Sequence, residues 1–341
     1  MIPGIIRLLE GKDNSGLYFK VISGPKDEIT SWTFELKDSS GKIAASESGG
    51  STLPDHIFWD GKTGSGEGFY NAAFKVVYSN GGVTEKKIDD IYYDLTAPVV
   101  DLGISSTPFA EAGGSYEGET DFALDVKENY KIYGWEGVIT DSDGKQVMSF
   151  SAEGDPEANI IWNGETENNY KLTSGAVYTA SVRVADMAGN IGTAKGEFPI
   201  DIALIKRDGK YYINTENIIF SAYKSSIDSR GKETAAINRK SLKRVADLMK
   251  AYPEYSVVIE GHALNVLLGA GTAREKKEEA ILEKLTVDRA ESVRKELIKL
   301  GVPEKSLKIE AFGGKYPIAP VKDLKERWKN RRVVFVVDLG L

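Results

Sequence analysis

The sequence predicts a multi-domain chain: two all-β sandwiches, then an α+β module with a β-α-β-α-β-β mixed sheet. Three observations point there. A pattern of tryptophans and turns recurs at a fixed offset through the first 205 residues. Those residues alternate apolar with polar, whereas helical spacing sets in after residue 206. At 341 residues the chain is also too long for one typical domain. The expected boundaries are 1–97, 98–205 and 206–341.

The repeat is read directly. Ile29-Thr30-Ser31-Trp32-Thr33-Phe34 leads to Asp38-Ser39-Ser40-Gly41-Lys42, and Ile132-Tyr133-Gly134-Trp135-Glu136-Gly137 leads to Asp141-Ser142-Asp143-Gly144-Lys145. Trp32 and Trp135 are 103 positions apart, as are Trp59 and Trp162. Gly68-Phe69-Tyr70 then answers Ala176-Val177-Tyr178 at 108, after an insertion. An offset sustained over a whole domain indicates duplication. Within each copy, runs such as Thr33–Leu36, Ala73–Tyr78 and Tyr178–Ala185 alternate as half-buried strands do. Ser40-Gly41, Asn80-Gly81, Asp143-Gly144 and Gly189-Asn190 supply turns between them. About 100 residues of this kind make an immunoglobulin-like sandwich. The tryptophans are expected to pack between the sheets, with carbohydrate stacking as the competing role. Leu95-Thr96-Ala97-Pro98 reads as the hinge between copies, and 201–210 as the connection to the last module. Thr107–Asp121 reads as a solvated loop; its Glu111, Glu117, Glu119 and Asp121 lack a regular calcium spacing.

In the last module, Ile218-Ile219-Phe220 reads as a strand. Ile237, Leu242, Val245, Ala246 and Met249 recur at helical spacing. Tyr255–Ile259 is the next strand, ending at Gly261. Val287–Leu300 is a second helix with Ala290, Val293, Leu297 and Leu300 inward, stopped by Gly301 with Pro303 beyond. Leu307–Ala311 and Val333–Val337 complete a split sheet covered by helices on one face.

Composition limits the chemistry. With 41% hydrophobic and 28% charged residues the chain is an ordinary globular one. It has no cysteine, which removes disulfides, thiolate zinc sites and cysteine nucleophiles. His56 and His262 are the only histidines and lie far apart, so no multi-histidine metal centre is expected. No nucleophile elbow, Walker motif or dinucleotide glycine motif occurs, and the chain reads as non-enzymatic, without cofactor. Charge is uneven. Residues 206–341 hold 28 Lys+Arg against 19 Asp+Glu, a balance of +9, and the rest hold 16 against 32, a balance of −16. The two readings are solvated surfaces of opposite sign, or a basic module facing an anionic surface or its own acidic half. No nucleic-acid partner is expected. No run of eighteen apolar residues exists to span a membrane as a helix.

The C-terminal motifs carry a resemblance. Val257-Val258-Ile259-Glu260-Gly261-His262, then Leu285-Thr286-Val287-Asp288-Arg289-Ala290, then Asn330-Arg331-Arg332-Val333 stand in the order and setting of the OmpA-like family. Phe312-Gly313-Gly314 and Pro317-Ile318-Ala319-Pro320 match its glycine and P-I-A turns. The resemblance covers roughly 206–341 and implies a cell-envelope protein that holds the diaminopimelate stem of peptidoglycan. The N-terminal copies resemble FlgD-type Ig-like modules, through the tryptophans and the D-x-x-G-K turn. An envelope role implies a periplasmic, outer-membrane-associated protein with an export signal. Met1–Glu10 is too short and too charged to be that signal, so it is expected upstream.

In that family an Asp after Gly-His-Thr meets the ligand ammonium, and the arginine of L-S-x-x-R-A meets its carboxylate. Arg289 falls on the arginine and His262 on the histidine, while Ala263 replaces the threonine and Leu264 the aspartate. Ser221 replaces the aspartate after Phe220, Tyr223 takes the second polar position, and Ile281-Leu282 stand in place of Tyr-Asn. From Leu264 to Arg289 is 25 positions, longer than in the family, which places an insertion at about Val266–Glu279. An unpaired, desolvated ammonium would cost about 3–5 kcal/mol, several hundredfold in affinity. The expected outcome is a degraded site with weak or lost peptidoglycan binding, and a structural role with an envelope protein partner. The alternative is an anchor in which Asn265, or Glu275, Glu278 or Glu279 from the insertion, replaces the aspartate. His262 reads equally as a loop residue, Arg289 as a structural cation paired near Asp288 or with Glu260, and Asn330 and Arg332 as supports of the fold.

Overall fold

The computed structural model describes residues 6–13, 16–23 and 28–338. Met1–Ile5, half of the segment weighed as a signal peptide, lie outside the described residues.

The first sandwich consists of β1 (Ile6–Asp13), β2 (Gly16–Ser23), β3 (Ile29–Asp38), β4 (Ile43–Gly49), β5 (His56–Trp59), β6 (Gly68–Tyr78) and β7 (Val83–Tyr93). The second consists of β8 (Val99–Ser106), β9 (Phe109–Ala112), β10 (Ser115–Glu117), β11 (Thr120–Lys127), β12 (Ile132–Thr140), β13 (Gln146–Glu153), β14 (Asn159–Trp162), β15 (Val177–Asp186) and β16 (Ile191–Pro199). Strand orders β1-β2-β5 and β4-β3-β6-β7 in the first recur as β8-β11-β14 and β13-β12-β15-β16 in the second. The sequence repeat is therefore a topological repeat. Its turns are built alike: Asp38 Oδ1 accepts from the Ser40 and Lys42 amides at 3.0 Å, and Asp141 Oδ1 accepts from the Asp143 amide at 3.0 Å and the Lys145 amide at 2.9 Å. Trp32, Trp59 and Trp162 lie in the sandwich cores, and Trp135 is half-buried.

The two sandwiches meet without a slack linker. Tyr92 stacks on Tyr130 with ring centres 3.9 Å apart, and Phe69 meets Tyr130 edge-on. Asn190 Nδ2 donates to the carbonyls of Asp94 and Thr96 in the hinge.

The last module adds β17 (Ile202–Arg207), β18 (Lys210–Ile213), β19 (Ile218–Ile219), α1 (Lys232–Ala251), β20 (Ser256–Gly261), α2 (Ala273–Lys299), β21 (Leu307–Ala311) and β22 (Arg332–Asp338). Its sheet runs β10-β9-β17-β18-β22-β20-β21, with β19 also on β22. β20 pairs parallel with β21 and antiparallel with β22, as the expected mixed sheet requires. Val257, Ile259, Val333 and Phe335 face α1 and α2 and form the core with Leu242, Val245, Val293 and Leu297. Asn238 of α1 is fully buried and fixes β19 by accepting from the Ile219 amide and donating to the carbonyls of Ile219 and Ile227. A Cβ on Gly261 would collide with the Thr286 carbonyl of α2, so only glycine lets strand and helix approach this closely.

Three expectations are corrected. Residues 201–210 are no plain connection: they form the β17–β18 hairpin, turned by Asp208 (φ 49°) and Gly209 (φ 76°), the positive-φ pair of a two-residue hairpin turn. Thr107–Asp121 is no open loop: β9 and β10 form a second hairpin across Gly113-Gly114, and β9 pairs parallel with β17, extending the sheet into the second sandwich. The second helix does not begin at Val287. It begins at Ala273, because the insertion is rich in helix formers and opens on a capping motif, with Thr272 Oγ1 accepting from the Glu275 amide. Two side chains expected inside are also exposed: Ile237 at 50%, on the outer face of α1, and Leu300 at 40%, at the end of α2.

Candidate functional site

Arg289 projects from the middle of α2 into the corner where β19 and β20 end, and is fully buried. Its Nε donates to the Lys224 carbonyl at 3.0 Å, Nη1 to the His262 carbonyl at 3.1 Å, and Nη2 to the Ser221 carbonyl at 2.9 Å. The guanidinium carbon stands 5.0 Å from the Phe220 ring centre, a cation–π contact. No carboxylate lies within ion-pairing distance of it among the described residues, so neither Glu260 nor an acid near Asp288 is its partner. Burial, with a smaller contribution from Arg331, pulls its pKa down to about 10. The cation is held by carbonyl dipoles that bind the 221–224 loop, β20 and α2 together.

The other positions surround this corner. Ser221 turns inward, its Oγ donating to the Ser229 carbonyl at 2.8 Å. Leu282 is 3% exposed and Leu264 is half-buried, so the aspartate position carries an apolar side chain. Asn265 is 2% exposed; its Nδ2 donates to Glu279 Oε2 at 2.9 Å and its Oδ1 accepts from the Leu267 amide at 2.9 Å. Of the insertion acids, Glu279 also accepts from the Gly314 amide, Glu278 accepts from the Tyr223 hydroxyl at 2.6 Å, and Glu275 accepts from the amides of Gly269 and Gly271.

Asn330 and Arg332 do different work. Asn330 is fully buried and closes the P-I-A turn: Oδ1 accepts from the Ile318 and Ala319 amides at 2.8 and 2.9 Å, and Nδ2 donates to the Ala319 carbonyl at 2.8 Å. It belongs to a short 3₁₀ turn, and the last strand begins at Arg332. Arg332, like Glu260, points to the sheet face away from the helices. Only the carbonyl of His262 reaches Arg289; its imidazole lies with Glu260 and Arg332. Motif order puts His262 and Arg289 at one site, but the imidazole and the guanidinium lie on opposite faces of the sheet.

Residues 232–331 match the family model of the OmpA family. The chain carries an OmpA-like domain. No curated protein matches the chain. Among solved structures, the peptidoglycan-associated lipoprotein of Burkholderia pseudomallei is 23% identical, covering 36% of this chain and 91% of its own, with a TM-score of 0.29. The C-terminal domain of Helicobacter pylori MotB is 23% identical over 37% of this chain and 85% of its own, with a TM-score of 0.29. Fibronectin(III)-like modules of Clostridium thermocellum CbhA are 14% identical over 58% of this chain and 94% of their own, with a TM-score of 0.35.

A cluster of three carboxylates lies outside the OmpA-like domain. The carboxylates of Asp94, Glu128 and Asp186, at the joint of the two sandwiches, each place an oxygen within 4.8 Å of the others. That is oxygen-donor chemistry suited to a hard cation. In the 107–121 segment, two of the four acids weighed for calcium are engaged otherwise: Glu111 accepts from the Gly114 amide and Glu117 from the Tyr211 hydroxyl. No helix among the described residues is long and apolar enough to cross a membrane.

Proposed function

We propose that this chain is a non-catalytic structural and interaction protein of the bacterial cell envelope, periplasmic and associated with the outer membrane, whose OmpA-like domain keeps the architecture of a peptidoglycan-binding module without its zwitterion clamp. The observation that carries this reading is the pairing at Arg289. The guanidinium that would receive a ligand carboxylate already donates to three backbone carbonyls, and Leu264 occupies the position of the ammonium-binding acid. A ligand carboxylate would find only two of the five N–H donors uncommitted, on a fully buried guanidinium, and its ammonium would meet an isobutyl group. Two sandwiches of acidic balance then present surface to an envelope protein partner, consistent with the charge asymmetry of the chain.

Co-sedimentation of the full chain with isolated peptidoglycan tests this. The chain should remain in the supernatant, and Leu264→Asp should raise the bound fraction by restoring a counter-ion. Saturable binding of the unaltered chain, displaced by a diaminopimelate stem peptide, would overturn it. One observation favours the runner-up reading, an anchor with a substitute acid: Glu279 of α2 is tied to Asn265, next to Leu264, and to the Gly314 amide in the loop after β21. If binding is seen and Glu279→Gln abolishes it, that acid has taken the aspartate's place.

A further inference from the structure

The face of the C-terminal sheet turned away from α1 and α2 holds a cavity of about 670 Å³. Its floor is Glu260 and His262 at the end of β20 and Arg332 at the start of β22; the β17–β18 hairpin closes one side and the Phe312–Ile318 loop the other. The volume falls in the range of small-molecule sites, and the space is far larger than one water needs.

Two buried polar side chains facing it are under-satisfied. His262 is 4% exposed, and neither ring nitrogen has a hydrogen-bond partner; Nε2 stands 3.6 Å from Glu260 Oε2, just out of reach. The imidazole is fixed by stacking on Phe312, with ring centres 5.3 Å apart and planes 17° from parallel. Arg332 is 6% exposed, and its terminal nitrogens reach only one group, the Tyr316 carbonyl, at 3.4 and 3.5 Å. A guanidinium presents five donors, and buried ones are ordinarily matched. Cations are in excess around the cavity: Arg207, Lys210, Lys315 and Arg332 against Asp208 and Glu260. Lys210 is neutralised by Glu260 at 2.9 Å and Lys315 by Glu283 at 2.7 Å. Neither Arg207 nor Arg332 meets a carboxylate at ion-pair distance among the described residues.

We propose that this cavity binds a small carboxylate-bearing molecule, with the Arg332 guanidinium as a planar fork for the carboxylate, His262 as a second polar contact, and the Phe312 and Tyr316 rings against the apolar remainder. A carboxylate fits the fork geometrically. Glu260, beside His262 on the floor, disfavours a doubly charged phosphate. The site is separate from the Arg289 corner and does not depend on whether peptidoglycan binds there. The two sides meet at residue 262, whose carbonyl serves Arg289 while its ring lines the cavity.

With two histidines in the chain, the imidazole signals of the intact protein are assignable by NMR using His56→Gln. We would titrate acetate and D-lactate, with inorganic phosphate and chloride at matched ionic strength as separate arms. The expected result is a saturable shift of the His262 ring signals with the carboxylates, absent with chloride, and weakened about tenfold or more in Arg332→Gln. Arg207→Gln, at the exposed rim, should weaken it far less. Should Arg332→Gln fail to fold, calorimetry of His262→Gln with D-lactate serves instead, with a weaker affinity expected. Unchanged ring signals with every probe would mean a water-filled cavity and overturn the proposal. Phosphate binding in preference to the carboxylates, or equal shifts with chloride, would overturn the ligand class.

Discussion

The two faces of the C-terminal sheet bury one arginine each under opposite conditions. On the helix face Arg289 is fully enclosed and donates to three carbonyls, two from the 221–224 loop and one from the end of β20. On the open face Arg332 is almost as buried and has two long contacts to a single carbonyl. Burial pulls both pKa values down to about 10, so burial alone does not distinguish them. Pairing does. Arg289 commits three of its five donors in short bonds and behaves as a staple of the fold, whereas Arg332 makes only long contacts to one carbonyl and retains more capacity for something outside the chain. The family motif draws attention to Arg289, yet the more poorly matched guanidinium is that of Arg332.

The largest expected effect breaks this contrast at its stronger end. Arg289→Ala removes three charge-assisted hydrogen bonds and leaves three carbonyls to find water or nothing, a loss of about 3–5 kcal/mol. Arg332→Met, which removes a poorly matched buried charge and retains volume, should cost less than about 1 kcal/mol, or stabilise. Urea unfolding of both variants measures the difference. Equal losses would mean that the contacts seen at Arg289 do not carry its energy.

Next in size is a pH effect confined to the open face. Burial, opposed by Glu260 and reinforced by Arg332 and Lys210, holds the His262 pKa below its ordinary value of 6.5. The folded state therefore resists a proton that the unfolded chain accepts. This contribution to stability is whole above pH 6.5 and is lost as the pH falls below it, with a slope of at most about 1.4 kcal/mol per pH unit. Glu260 behaves separately: burial opposes its ionisation, but His262 and Lys210 together keep its pKa below 4.5, so its loss comes at more acid pH. The stability of the unaltered chain minus that of His262→Gln should fall between about pH 7.5 and about pH 5.5. A flat difference would place the imidazole in an environment that does not oppose its charge.

How much of this was legible in the sequence differs by region. The sandwiches were readable because their turn chemistry is local: Asp38 and Asp141 cap their own turns, and the same residues recur at the same offset. The core of the OmpA-like domain was readable from periodicity, and the positions of Arg289 and Leu264 from motif order. Asp208-Gly209 and Gly113-Gly114 have turn chemistry, but each sits in a segment that reads as a connection or a loop, and pairing between distant strands leaves no local trace. The partners of Arg289 were illegible for a related reason. Every residue has a carbonyl, and only the chain path decides that those of Ser221, Lys224 and His262 converge on one guanidinium. The open-face cavity depended on the same unrecognised hairpin.

The smallest effect concerns the extra turns of α2. Its buried side chains begin at Leu282, so the stretch from Ala273 to Ile281 rests on capping and on the Glu278 and Glu279 contacts, with no apolar core beneath it. Thr272→Ala removes the acceptor for the Glu275 amide and should cost about 1 kcal/mol, felt locally. Amide exchange over residues 276–281 should quicken about fivefold while the global unfolding midpoint barely moves. The same change would loosen Glu279 from Asn265, which makes it a probe of the loop as well as of the helix. If exchange slows or stays fixed, the insertion is held by something other than its cap. If the midpoint falls along with the exchange, these turns unfold only with the core, and α2 is one cooperative unit from Ala273 onward.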